Sequence, residues 1–156
     1  MTDARFEDGE EAPLRLIARD RASLPVLAAL VQDAVLPASE MSFSRPRRRF
    51  ALMLNRFRWE DEVAGHSARR PYERVKSLLV VDEVLGVRSQ GIARDADTVL
   101  SLLDISFDGA DDGAGHVTLT FAGDGALRLE VEALDVTLRD VSQPYVAPSG
   151  KAPRHD

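Results

Sequence analysis

Residues 45–61 read RPRRRFALMLNRFRWED, an apolar run that follows four arginines and contains two more. As a β-strand this run alternates, and one face carries Phe50, Leu52 and Leu54. Phe57 and Trp59 have the opposite parity, but a one-residue bulge at Asn55 and Arg56 would turn both aromatic rings to the same side. The stretch therefore predicts a bulged core strand with its arginines on the exposed face.

The predicted register leaves a basic stripe on the solvent side of this strand, continued in the loop that follows. Its members are Arg47, Arg49, Arg56, Arg58, Arg69 and Arg70. Guanidinium groups bind carboxylates and phosphates through paired hydrogen bonds, so the stripe is our candidate binding site. Exposed strand arginines also protect sheet edges and bridge acidic side chains of the same chain, and this purely structural reading stays open.

Charge is distributed unevenly along the chain. Between Arg45 and Lys76 there are ten basic and four acidic residues, whereas the whole chain carries a formal charge of −6. An acidic protein argues against a dedicated nucleic-acid coat, which normally has a surplus of lysine and arginine. A basic segment in an acidic chain favours arginines that are solvated or paired within the chain, then an acidic protein partner, and it disfavours nucleic acid.

The clearest helix signal lies in RASLPVLAALVQDAVLP, residues 21–37. Leucines recur in it at helical spacing, Ser23 is positioned to cap the start, and Pro25 suits the first turn. Pro37 disfavours helical geometry at the residue before it. The sequence therefore predicts one principal helix over about residues 24–36.

Strand patterns surround this helix. Residues 14–18 form a short candidate, and residues 75–81, 84–92 and 99–107 form longer ones, although the first half of the last also fits a helix. Residues 116–132 give the clearest hairpin, with a Gly-Asp-Gly turn between two alternating segments. This pattern is typical of an antiparallel sheet with one wet face.

Residues 133–141 fit either a helix or a strand that continues the hairpin after a bulge near Ala133. The β-branched Val136 and Thr137 favour the strand. Together the patterns predict an α+β protein, a mostly antiparallel sheet of about seven or eight strands with the one principal helix.

Composition indicates a single domain over residues 14–142, with a loose acidic leader at 1–13 and a polar, proline-containing tail at 143–156. The chain has no cysteine, which excludes disulfides, thiolate metal sites and a cysteine nucleophile. The first residues are acidic, unlike a signal peptide, and no apolar run is long enough to cross a membrane. We expect a cytoplasmic location, no membrane association, and leave homo-oligomers open.

Catalytic motifs are absent. No phosphate-binding glycine loop and no GxSxG elbow occurs, and DGADDGAG, residues 108–115, lacks the ligand spacing of a calcium loop. His66 with Glu62 nearby is a conceivable general base in a long loop, but a loop histidine among charged residues is usually only solvated. We assign no catalytic residue, no metal and no cofactor.

Several runs resemble a bacterial family known as domain of unknown function 2948. They are LVQDAVLPASEMSF, RRRFALMLNRFRWE, VLSLLDISF and LRLEVEALDV, and the likeness extends from about Leu14 to about Val141. The resemblance implies a small cytoplasmic bacterial protein and brings no activity, ligand or site residue with it.

Three functions are therefore weighed. The leading hypothesis is a non-enzymatic protein-binding or accessory module that uses a sheet face or the arginine-rich residues 45–74. The second is binding of single-stranded nucleic acid or a phosphate ligand by the same arginines. The third is an enzyme with a loop site around His66.

Overall fold

The computed structural model describes residues 13–58, 73–93, 98–110 and 113–146. Antiparallel strands predominate in these ranges, with a single α-helix, α1, at Leu24–Leu30. The strands in chain order are β1 (Arg15–Ala18), β2 (Val35–Pro37), β3 (Met41–Ser44), β4 (Arg49–Phe57), β5 (Glu73–Val81), β6 (Val84–Gln90), β7 (Val99–Gly109), β8 (Gly115–Phe121), β9 (Ala126–Val131), β10 (Val136–Asp140) and β11 (Tyr145–Val146). The predicted α+β class is confirmed, but ten strands of three or more residues replace the seven or eight expected.

The strands pair in the order β1-β10-β5-β4-β2-β7-β8-β9-β6, with β3 also beside β4 and β11 also beside β5. We call the group β1, β10, β5 and β4 the β5 sheet, and the group β7, β8, β9 and β6 the β8 sheet. Strand β2 joins them through antiparallel pairing with β4 and β7. Both sheets and α1 contribute buried side chains to the apolar core.

Strand β4 contains no bulge, so the register predicted for residues 45–61 is wrong. It pairs with β5 without interruption from Phe50 opposite Val81 to Phe57 opposite Arg74. Regular alternation therefore puts Arg56 on the core side and Phe57 on the other side. The sheets do contain irregular registers, next to Leu85 in β6 and Leu103 in β7.

Helix α1 is shorter than the predicted 24–36. It ends at Leu30, and Asp33 then adopts a left-handed conformation with φ of 66°. The Asp33 N–H donates to the carbonyl of Leu102 at 2.7 Å, and the Leu102 N–H donates to the carbonyl of Ala34 at 2.8 Å. Residues 33–37 thus form backbone hydrogen bonds with β7. These long-range hydrogen bonds decide their conformation, although their apolar side chains recur at helical spacing.

The predicted hairpin is confirmed as β8 and β9, joined at Gly123 and Asp124. Both turn residues have positive φ, 85° and 70°, a conformation that tight hairpin turns commonly need and that glycine and aspartate adopt at low cost. The strand predicted within 133–141 is confirmed as β10. It does not extend β9, however, because it crosses to the β5 sheet and pairs with β5 and β1.

The tail predicted from residue 143 includes β11, which pairs with the start of β5. The Tyr145 hydroxyl donates to Oδ1 of Asn55 at 2.6 Å, which fastens this segment to β4. No helix in the described ranges is long and apolar enough to cross a membrane.

Candidate functional site: the outer face of the β5 sheet

The outer face of the β5 sheet is the side turned away from the core. Alternation assigns the residues of each strand to the two faces, and the register aligns them in rows across the sheet. One outer row contains Ile17, Thr137, Val80 and Ala51, and the next contains Arg15, Arg139, Leu78 and Met53. Ile17 is 44% exposed, and the other apolar members are half-buried beside their neighbours. The middle of this face is therefore apolar and accessible.

Unpaired cations lie along one side of the apolar middle. Arg15 and Arg139 stand directly opposite each other on β1 and β10, and both are exposed. Lys76, in the following row, is also exposed and lies next to Val141, itself 43% exposed. In the part of the chain that the structure describes, none of the three cations has a carboxylate partner.

At the opposite end of the same face the cations are neutralised. Arg19 lies 3.7 Å from a carboxylate oxygen of Asp135, and Arg49 lies 2.7 Å from one of Asp82. Charge is therefore distributed unevenly over the outer face. At one end the cations are paired with carboxylates, the middle is apolar, and the other end is basic, with no acidic residue of the described strands on it.

Arg74 extends the basic end. Its guanidinium lies 4.3 Å from the centre of the Phe57 ring, so it covers the one large aromatic side chain of β4 on this face. The Arg74 Nε atom is buried and has no hydrogen-bond partner among the described residues. A buried donor without a partner costs free energy, and at a surface it is satisfied most simply by water or by a bound acceptor.

The outer face of the β8 sheet has a different character. It also holds a directly opposed arginine pair, Arg88 and Arg128, but their row continues with Thr118 and Ser106, and the adjoining rows contain the acidic Asp104, Asp108 and Glu130. The guanidinium of Arg128 approaches the His116 ring nitrogen at 3.4 Å, and Glu130 is its neighbour on β9. This composition is typical of a solvated face, so the apolar middle distinguishes the β5 sheet.

The described members of the predicted basic stripe do not form one surface. Arg47 is exposed in the turn before β4, and Arg49 is exposed but paired with Asp82. Arg56 and Arg58 are buried, which contradicts their predicted exposure. Arg69, Arg70 and Trp59 lie outside the described residues. Whether Arg47 or Arg49 binds a partner stays a prediction.

Arg56 is instead the centre of a buried polar cluster at the end of the core. Its Nη2 lies 2.9 Å and 3.0 Å from the two carboxylate oxygens of Asp140, whose side chain is 6% exposed. The Ser77 hydroxyl donates to the same carboxylate at 2.7 Å, and the Leu14 N–H donates at 3.0 Å. The cluster ties β4, β5, β10 and the start of β1 together.

Arg58 is held in a similar way at the end of β4. Its Nη1 lies 2.8 Å from a carboxylate oxygen of Glu73, and its own side chain is 6% exposed. Two of the six arginines chosen from the sequence are therefore buried in ion pairs within the fold. Such pairing is expected, because a buried guanidinium group without a carboxylate partner would cost free energy.

The sequence interpretation missed Arg15, Arg139 and Lys76. All three lie in segments that were predicted as strands. Alternation with Leu16, Leu138 and Leu79 of the same strands, which point to the core, assigns the three cations to the outer face. The sequence did not show that β1 and β10 are neighbouring strands. Their pairing places Arg15 directly opposite Arg139, which lies 124 positions away in the chain.

The structure describes little of the other candidates. His66 and its loop, with Asp111 and Asp112 of the calcium-like turn, lie outside the described ranges. Within those ranges no three histidine, aspartate or glutamate residues come together as a metal site.

Fold and surface together define a class: a mostly antiparallel α+β protein whose distinguishing feature is a sheet face that is apolar in the middle and basic at one end. The chain belongs to the family described as "Protein of unknown function (DUF2948)", whose model matches residues 14–155. No curated protein and no solved structure matches the chain significantly.

Proposed function

We propose that this protein is a non-enzymatic binding module that receives a protein partner on the outer face of the β5 sheet. One observation carries the proposal: Arg15 and Arg139 are exposed, have no carboxylate partner among the described residues, and lie in one row with Leu78, beside the row of Ile17. Apolar area supplies affinity, while charges at its border select the partner and steer its approach. The fitting partner presents aliphatic side chains flanked by aspartate or glutamate.

A protein fits this face better than a nucleic acid. Single-stranded nucleic acids bind to basic grooves in which aromatic side chains stack on the bases. The apolar residues here are aliphatic, and the one aromatic ring of β4 on this face, Phe57, is buried under Arg74. The cations alone would hold a phosphate backbone, but the aliphatic middle would remain exposed to water.

The test is affinity capture from a lysate of the cells that make the protein, with three baits. The first is the native chain, the second is Arg15→Glu/Arg139→Glu, and the third is Arg88→Glu/Arg128→Glu. The third bait is a matched control because it reverses an equally opposed arginine pair on the other sheet. Circular dichroism verifies that all three baits are folded.

The proposal predicts a protein retained by the native and control baits and lost from the Arg15→Glu/Arg139→Glu bait. Retention by all three baits, or loss from both variants, overturns the assignment of this face. Recovery of RNA in place of protein, released by raising the salt from low to physiological concentration, favours the nucleic-acid alternative.

A further inference from the structure

A second surface feature, remote from the basic end of the β5 sheet, is an open cleft between α1 and β7. Its volume is about 560 Å³, within the range of small-molecule sites. One wall is made of Pro25 and Ala28 of α1, with Arg21 in the turn before the helix and Gln32 in the turn after it, and the other is the segment 103–107 of β7.

The cleft has an apolar floor. It is formed by Leu103, Ile105 and Phe107 of β7 together with Leu24 and Ala28 of the helix. Leu103 is the extra residue where β7 slips against β8, and it remains 37% exposed. Bulges of this kind often re-aim a side chain beside a functional site. The floor therefore contains one exposed leucine, Leu103, next to apolar side chains that are more buried.

A single cation is fixed at one end of this floor. The guanidinium of Arg21 lies 5.1 Å from the centre of the Phe107 ring and donates through Nη2 to the carbonyl of Gly109. Among the described residues no carboxylate pairs with it. Two contacts thus hold the group in place, and its remaining N–H donors have no acceptor among the described residues and can bind an anion.

Asp104 also lines the cleft, and it has no cationic partner in the described ranges. Because Asp104 lines the same cleft as Arg21, its carboxylate would repel a second negative charge on the ligand. Such a ligand would also have to bury that charge against the apolar floor without a cation to pair with it.

We propose that the α1–β7 cleft binds a small amphiphilic monocarboxylate, with its carboxylate on Arg21 and its aliphatic chain on Leu103, Ile105 and Phe107. This site shares no residue with the outer face of the β5 sheet, so the two proposals succeed or fail separately. Octanoate, below its micelle concentration, is a suitable probe, with octanol and the dicarboxylate suberate as comparisons.

The experiment is a titration followed by amide chemical shifts of the full chain. Octanoate should produce saturable shifts confined to α1 and residues 103–107, and it should bind more tightly than suberate. Arg21→Gln should weaken octanoate about fivefold or more while leaving octanol unchanged, because only the charged headgroup loses its partner. Ala29→Phe, at an exposed position that lines the cleft, should weaken both ligands.

Val26→Phe is the matched control, since Val26 is 60% exposed on the same helix and does not line the cleft. It should bind octanoate like the native chain. Shifts that never saturate, shifts centred elsewhere, or equal octanoate affinity in Arg21→Gln and the native chain would each overturn the proposal.

Discussion

Arg15 and Arg139 face each other directly across β1 and β10, and no acidic side chain of the described residues neutralises either of them. Directly opposed like charges destabilise an antiparallel pair by a few tenths to about 1 kcal/mol. The fold keeps this repulsion beside exposed aliphatic residues, although a single acidic substitution would relieve it. Such an arrangement suits a surface that is completed by an acidic partner.

Relief of this repulsion gives a first prediction. Arg139→Glu should raise the free energy of unfolding by up to about 1 kcal/mol, because it converts a repulsive cross-strand pair into an attractive one. Urea unfolding measures the change. Arg128→Glu, opposite Arg88, should change stability in the same direction. A clear loss of stability in Arg139→Glu would show that the two guanidinium groups do not repel each other in the folded protein.

The buried Arg56–Asp140 pair gives a second prediction. Asp140→Asn should cost about 3–5 kcal/mol, because removal of one partner leaves a buried charge without compensation. Asp82→Asn is the control at the exposed Arg49 pair, where about 1 kcal/mol or less is expected. Equal and small losses in urea unfolding would mean that Arg56 reaches water in the folded state.

The double variant Arg56→Leu/Asp140→Leu separates charge from packing. Because it removes both charges together, it should be more stable than Asp140→Asn alone. If the double variant is less stable than Asp140→Asn, the stability that the cluster contributes comes mainly from the hydrogen bonds that Asp140 accepts from Ser77 and Leu14.

The start of α1 gives a third prediction, on pH dependence. Hydrogen bonds from the Ser23 hydroxyl and N–H lower the pKa of the Asp20 carboxyl below its ordinary value of 3.8. A lowered folded-state pKa stabilises the fold when the carboxyl is ionised. This contribution is therefore complete above the ordinary pKa and disappears as the pH falls through the lowered one.

Ser23→Ala should accordingly move the NMR titration midpoint of Asp20 upward, toward 3.8. Ser42→Ala, at an exposed serine of β3, is the control and should leave that midpoint unchanged. An unchanged Asp20 midpoint in Ser23→Ala would contradict the predominance of the serine hydrogen bond.

The glycine pair beside the turn that joins β7 to β8 gives a fourth prediction. A Cβ atom added at Gly115 would lie 2.3 Å from the carbonyl oxygen of Asp108 and 2.4 Å from the Cα of Gly109, the residue opposite. Gly115→Ala should therefore destabilise the protein by about 1–3 kcal/mol through backbone displacement. Gly86→Ala, where no atom lies within 4 Å, should be neutral or slightly stabilising. Thermal unfolding of both variants decides the matter.

Local patterns in the sequence were sufficient for much of the fold. The β8–β9 hairpin and β10 followed from alternation, turn chemistry and β-branched residues, all of which act between close neighbours. Helix α1 began where predicted but ended early, because the partner that claims residues 33–37 lies about 65 positions further along, on β7. Long-range pairing of this kind has no signal in a short window of residues.

The same limit explains the site. Treating Arg56 as exposed assumed that five large apolar residues must share the core face. The actual register buries Arg56 because Asp140, 84 residues away, neutralises it. Arg15 and Arg139 escaped notice for the converse reason, since their opposition depends on which strands are neighbours. Where a strand and its register were predicted correctly, alternation along the strand gave the correct sheet face for each residue. Which residue lies opposite on the next strand depends on the strand order of the sheet.

The role of the outer face is tested by a titration of the captured partner with the native chain, Arg139→Glu and Arg128→Glu. If the face binds an acidic partner, Arg139→Glu should weaken binding about tenfold or more while Arg128→Glu stays within about twofold of the native chain. The difference should shrink as salt is raised, because exposed charges are screened. Equal affinity of all three chains, or an equal loss in both variants, would contradict binding at this face.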